Sequence, residues 1–182
     1  MRVAHVVVAA GMAVAGCVHE PARELPITSA EMPASFSYGG LGPKSAHYRQ
    51  ATDPRSGAII RRMIMTAPNE VADFAAVSLS SGYVFTSTAF RRRLAVLLPP
   101  DQTVEWQEST QGSGIHPTKL VTFALPEKGL QCVGMERGLQ AHHEAPSNVY
   151  SQSIVVGYYC RAGAPFSSEE AHKVGAALSA RS

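Results

Sequence analysis

Lys119-Leu120-Val121-Thr122-Phe123-Ala124-Leu125, then Pro126-Glu127-Lys128-Gly129, then Leu130-Gln131-Cys132-Val133-Gly134-Met135 reads as strand, turn, strand. β-branched and aromatic residues fill the flanks, and a Pro and a Gly bracket the reversal. A second run of the same character, within Val149–Cys160, holds Ile154-Val155-Val156-Gly157-Tyr158-Tyr159-Cys160. Between the two, the polar stretch from Gly138 to Asn148 reads as a long loop. Strands this close in sequence pair antiparallel, so the C-terminal half sets out an antiparallel sheet.

After this sheet comes the clearest helix. Ser167-Ser168-Glu169-Glu170 has the form of a capping box, with Ser167 as N-cap and Glu170 at N3. Ala171, Val174, Ala177 and Leu178 then make an apolar stripe.

Upstream the pattern is mixed. Ala58–Thr66 is apolar enough for a strand, and Ala67-Pro68 breaks it. Asn69 is a good N-cap, so Glu70 to Leu79 is expected as a helix with Val71, Phe74, Ala75 and Ser78 on one face. Tyr83–Thr88 reads as a strand. Phe90, Leu94, Leu97 and Leu98 fit helical spacing with Ser87 as cap. Phe90, Arg92, Leu94, Val96 and Leu98 fit strand spacing. Leu94–Leu98 is taken as a strand because Pro99-Pro100 stops it. Thr103–Glu108 alternates as a half-buried strand, and Gly112-Ser113-Gly114 joins it to Lys119. The expected fold class is α+β: one small domain, mainly antiparallel sheet, with two helices packed on one face.

The chain is 182 residues long, which suits a single domain with or without a tail. Its 16 Lys+Arg against 14 Asp+Glu leave a formal charge of +2, which argues against a dedicated nucleic-acid binder. With 45% hydrophobic and 16% charged residues, wholesale disorder is not expected.

At the amino end, Arg2 precedes a short run of apolar and small residues from Val3 to Gly16. A positive start followed by an apolar run shorter than a membrane span is the pattern of a secretory signal. Its end, Val14-Ala15-Gly16-Cys17, resembles the lipobox of bacterial lipoproteins. That resemblance implies a signal peptide over 1–16 and a Cys17 that carries lipid as the first residue of the mature chain. It implies a membrane partner through the lipid anchor. Because Val18 is not Asp, it also implies the outer membrane, facing the periplasm. Residues 17–56, rich in Pro and marked by Gly39-Gly40, read as lipidated terminus and flexible tether. Such a tether has a coil dimension of ~35 Å and a reach of ~130 Å, with residues 57–182 as the domain. Phe36-Ser37-Tyr38 is the part of the tether able to pair onto the domain as an edge strand.

With Cys17 acylated, Cys132 and Cys160 remain. An exported chain with an even remainder points to one disulfide closing a loop worth roughly 3–4 kcal/mol. The rival reading is two buried free thiols.

Candidate chemistry is sparse. His142-His143-Glu144 is the most suggestive metal-ligand cluster, yet no ligand pair stands at i, i+4, so a solvated loop is the favoured reading. Ser113 and His116 lack the nucleophile-elbow pattern and an orienting acid. Arg91-Arg92-Arg93, with Arg61-Arg62, forms a candidate basic patch for anionic lipid or a small anion, or else a charged strand edge. Trp106 can stack a sugar or fill the core. No cofactor motif occurs. The leading expectation is a non-enzymatic envelope lipoprotein that contacts another envelope component. The alternatives are a small hydrolase or metal enzyme using His142, His143 or His116, and a binder of anionic ligand through Arg91–Arg93.

Overall fold

The computed structural model describes residues 24–41, 45–79, 90–98, 103–111, 118–143 and 149–180. Among these, ten strands and two α-helices form one α+β domain built on antiparallel sheet. The strands are β1 (Leu25–Pro26), β2 (Ala34–Phe36), β3 (Ala46–Thr52), β4 (Ile59–Ala67), β5 (Glu70–Ser78), β6 (Glu105–Gln111), β7 (Lys119–Leu125), β8 (Leu130–His143), β9 (Val149–Ala162) and β10 (Leu178–Ala180). The helices are α1 (Phe90–Leu97) and α2 (Ser168–Ala176). No helix among the described residues is long and apolar enough to cross a membrane.

The main sheet has the order β1-β3-β4-β5-β9-β8-β7-β6, antiparallel throughout. β2 and β10 form a separate antiparallel pair. The stretch quoted at the outset is the β7–β8 hairpin. Its turn is a 3-10 segment over Pro126–Lys128, closed by Gly129 at φ 61°, where a side chain would be strained.

Successive strand residues point to opposite faces, and this sorts the core into two layers. Leu120, Val133, Met135, Val155 and Tyr159 join Ala171 and Val174 of α2, together with Phe36 of β2. Val121, Phe123, Cys132, Val156 and Tyr158 join Phe90, Leu94 and Leu98 in and just after α1. The two helices therefore cover opposite faces of the sheet, a correction to the expected one-face arrangement. The cause is visible in β7, whose Leu120 to Leu125 are all buried or nearly so. An uninterrupted apolar strand needs a cover on each side.

Glycines set the closest approaches. A Cβ on Gly134 would stand 2.2 Å from the end of Leu94, so its absence lets α1 settle onto β8. On the other face, a Cβ on Gly157 would stand 2.3 Å from the Asp73 carbonyl oxygen and from the Phe74 ring.

Four further expectations are corrected. Glu70–Leu79 is strand β5, not a helix. Pro68-Asn69 forms a two-residue turn that pairs Ala67 with Glu70. Ala72 to Ala76 are all buried. A strand covered on both faces loses its alternation, and a short apolar run then imitates a helical stripe. Leu94–Leu98 belongs to helix α1 and not to a strand. Phe90, Leu94 and Leu98 are buried at helical spacing, while Arg91, Arg92 and Val96 are exposed. A proline pair stops a helix as readily as a strand.

Gly138–Asn148 is not wholly a loop, because β8 continues to His143 opposite Val149, with register shifts near Gln140. Finally, much of the stretch read as tether is folded. β1 pairs with β3, β3 with β4, and β2 with β10. Met32, Ala34 and Phe36 are core residues. Of Phe36-Ser37-Tyr38, expected as an edge strand, only Phe36 lies in a strand, and β2 pairs with β10 and not with the main sheet. The apolar content of this proline-rich stretch is spaced by turns, which hid its periodicity. The readings placed on residues 1–16, Cys17, Tyr83–Thr88 and Gly112–Gly114 lie outside the described residues.

Candidate functional site

Three polar groupings tie the elements together, two of them at the buried carboxylates Glu136 and Asp73. The first joins α1 to the sheet. Arg93 Nε donates to Glu136 Oε2 at 2.6 Å and its Nη2 to Oε1 at 2.8 Å, while Lys119 Nζ donates to Oε1 at 3.1 Å. The Glu136 side chain is 6% exposed, so it depends on these two cations for solvation. It sits on β8 with Lys119 opposite on β7, and the helix lays Arg93 over both.

The second lies on the same face. Arg62 of β4 reaches Asp73 of β5 through Nε, at 2.8 Å, and through Nη2. The Asp73 hydrogen bond raises the Arg62 pKa. Tyr158 of β9 stands beside the pair. Burial first, then the Asp73 charge, push its phenol up to about 12.

The third lies at the opposite end of the strands from the β3–β4 turn. Glu70 Oε2 accepts from the Gly40 amide at 2.7 Å, and the Tyr159 phenol also hydrogen-bonds Glu70. Burial, with Glu70 second, raises the Tyr159 pKa. Gly39, at φ 63°, passes so near Glu70 and Tyr159 that a side chain there would collide with both. Next to this latch, Arg161 Nη2 donates to Glu170 Oε1 at 2.8 Å and its guanidinium lies over Phe166 at 4.2 Å. Glu170 also accepts from the Ser167 amide and hydroxyl, completing the capping box foreseen from sequence. The Ser167 amide first, then Arg161, hold its carboxyl down to about 2. The geometry is that of a fastening: Glu70 ties the Tyr38-Gly39-Gly40 loop to β5 and β9, and Arg161 ties α2 to β9.

Cys132 and Cys160 face each other on β8 and β9 and form a disulfide, S–S 2.00 Å, buried against α1. The free-thiol alternative does not hold.

The arginine run is dispersed. Residues of a helix step by about 100°, so Arg93 turns inward to Glu136. Arg91 passes over Trp106 at 5.6 Å and reaches the Gln107 carbonyl, and Arg92 is exposed. Arg61 bonds Gln50 and Arg62 bonds Asp73, so the five arginines do not form one patch. Trp106 packs on Phe123, 5.2 Å between ring centroids, as part of the α1-side layer. His142 and His143 lie in β8, opposite Tyr150 and Val149, and their side chains lie outside the described part. Glu144, Ser113 and His116 lie outside the described residues. His47 and His172 are exposed on different elements, and His172 Nδ1 lies 2.7 Å from the Ser168 carbonyl of its own helix. Among the described residues no group of three His, Cys, Asp or Glu is placed to hold a metal ion.

Sequence reasoning missed Asp73, Glu136, Glu70 and Tyr159. A signal existed for the first two: each is a carboxylate inside an apolar run, and such a group must find a cation. Naming the cation required knowing that Arg62 and Lys119 are cross-strand neighbours. No protein-family model, curated protein or solved structure matches this chain.

Proposed function

We propose that this is a cell-envelope lipoprotein, anchored through Cys17, whose folded part is a non-catalytic binding or assembly module for another envelope component. The observation that carries the reading is the division of the three cysteines. Val14-Ala15-Gly16-Cys17 has the form of an acylation signal, and the other two are joined across β8 and β9. Disulfides persist in oxidising compartments such as the periplasm and are rare in the cytosol.

The non-catalytic part of the reading is supported by where the ionisable groups go. Glu136, Asp73 and Glu70 accept from Arg93, Lys119, Arg62, Gly40 and Tyr159 of the fold itself. A general base or nucleophile needs an oriented partner and room for substrate; these carboxylates hold elements together instead.

Palmitate labelling of cells, followed by mass spectrometry of the amino-terminal peptide, tests the anchor. Acylated Cys17 with loss of residues 1–16 is the expected result. An intact Met1 with an unmodified Cys17 thiol would overturn it. Crosslinking in intact cells tests the module: a specific envelope neighbour is expected, and retention of the crosslink after Cys17→Ser would show that the anchor is not what positions it.

A further inference from the structure

The folded chain begins far closer to Cys17 than a 40-residue spacer would place it. β1 starts at Leu25 and Glu24 already pairs with Arg49 at 2.8 Å. About seven peptide units therefore separate the acylated residue from the fold. They reach ~25 Å at full stretch and ~15 Å as a coil. The antiparallel register sets the point of attachment. Leu25 pairs with Gln50 and Pro26 with Arg49, so the chain arrives beside the turn joining β3 to β4, at one corner of the sheet.

The corner diagonally opposite carries Trp106. Seven interstrand steps separate β1 from β6 in the sheet order, roughly 30 Å at about 4.8 Å each. Trp106 pairs with Phe123, in the row of Cys132, Cys160, Val71 and Thr66, which lies about 20 Å along the strands from the β3–β4 turn. The leash is thus shorter than the sheet is wide.

Resting on the lipid-anchor reading, we infer that the β1–β3 corner of the sheet, with the β3–β4 turn, is the surface held against the bilayer. The α1–β6 side, with Trp106, then faces away from it and is left open to other envelope components. The occupant of the corner is the lipid headgroup layer. Arg49, Arg55 and Arg61 at this corner are matched by Glu24, Glu31 and Asp53. The leash and not net charge therefore brings the surface close, and the contact is expected to withstand salt. The competing arrangement would turn exposed Arg91 and Arg92 toward an anionic surface. Since Arg91 lies over Trp106, that would carry the indole to the membrane as well.

The single tryptophan makes the test direct. The full lipidated protein is placed in vesicles bearing a dansyl-labelled headgroup, and energy transfer from Trp106 is measured without any substitution. It is compared with Leu25→Trp, an exposed position, with Trp106 retained. Weak transfer from Trp106 and a several-fold larger signal added by Leu25→Trp are expected, unchanged at high salt and on adding phosphatidylglycerol. Transfer from Trp106 equal to that added at position 25, or rising with phosphatidylglycerol, would overturn the inference while leaving the anchor intact. Absence of the acyl mass on Cys17 in the same preparation would overturn the anchor and the inference together.

Discussion

Gly157 and Gly134 show how the fold depends on single missing carbons. At Gly157 the obstacle to a Cβ is the Asp73 carbonyl of a paired strand, which cannot move without disturbing the ladder. At Gly134 it is chiefly the tip of Leu94, which can rotate. Gly157→Ala is expected to cost about 3 kcal/mol and Gly134→Ala about 1 kcal/mol, both read by urea unfolding. A reversed order would mean that β5 and β9 are not this close. Glu136 offers a second asymmetry. Glu136→Gln removes the buried negative charge that Arg93 and Lys119 share and is expected to cost about 3 kcal/mol. Arg93→Met leaves Glu136 its lysine and should cost less. Two of the shifted groups show how stability varies with pH. Glu170, held down to about 2, contributes stability that is present above its ordinary value of 4.5 and lost as the pH falls toward 2. Tyr158, raised to about 12, contributes below its ordinary value of 10 and loses that contribution as the pH rises through 12. In melting curves across pH, Glu170→Gln is expected to soften the acid flank and Tyr158→Phe the alkaline one.

Among the elements, α2 was legible because its signals are local. Ser167 and Glu170 satisfy each other within one turn, and nothing distant is needed to see it. Ser167→Ala should therefore destabilise by about 1 kcal/mol and raise the Glu170 pKa, measurable by NMR titration. The β7–β8 hairpin was legible for the same reason, its turn being written in Pro126 and Gly129. β5 and α1 were not. Phe74 owes its burial to Gly157, Phe36 and Tyr159, which lie 38 to 85 residues away; no local window contains them. α1 was misread because Pro99-Pro100 ends a helix as readily as a strand, and its inward Arg93 is made acceptable only by Glu136 on β8. The buried carboxylates Glu136 and Asp73 were hidden likewise, since their cations come from other elements, Arg93 and Lys119 for one and Arg62 for the other. β2 was legible only as a segment at Phe36 able to pair, because its mate is distant in sequence, Ser179 standing 144 residues from Ser35.

For the molecule as a whole, the Cys132–Cys160 bridge closes a loop of 28 residues. The chain-entropy relation assigns such a loop roughly 3–4 kcal/mol. Cys132→Ala with Cys160→Ala, or reduction of the unfolded chain, should lower the melting temperature accordingly. An unchanged melting temperature would mean that the reduced unfolded chain already holds these strands together. The strand order also bears on assembly. Ala34–Phe36 finds its hydrogen-bonding mate at Leu178–Ala180, with Ser35 and Ser179 144 residues apart. Any chain delivered amino end first thus carries an open seam until Leu178–Ala180 arrive, and contacts this distant in sequence form slowly. A polypeptide that cannot button itself shut early is one that a translocation pore or a chaperone can still grip, and removing the three-residue clasp Leu178–Ala180 should leave the molecule threadable for longer still.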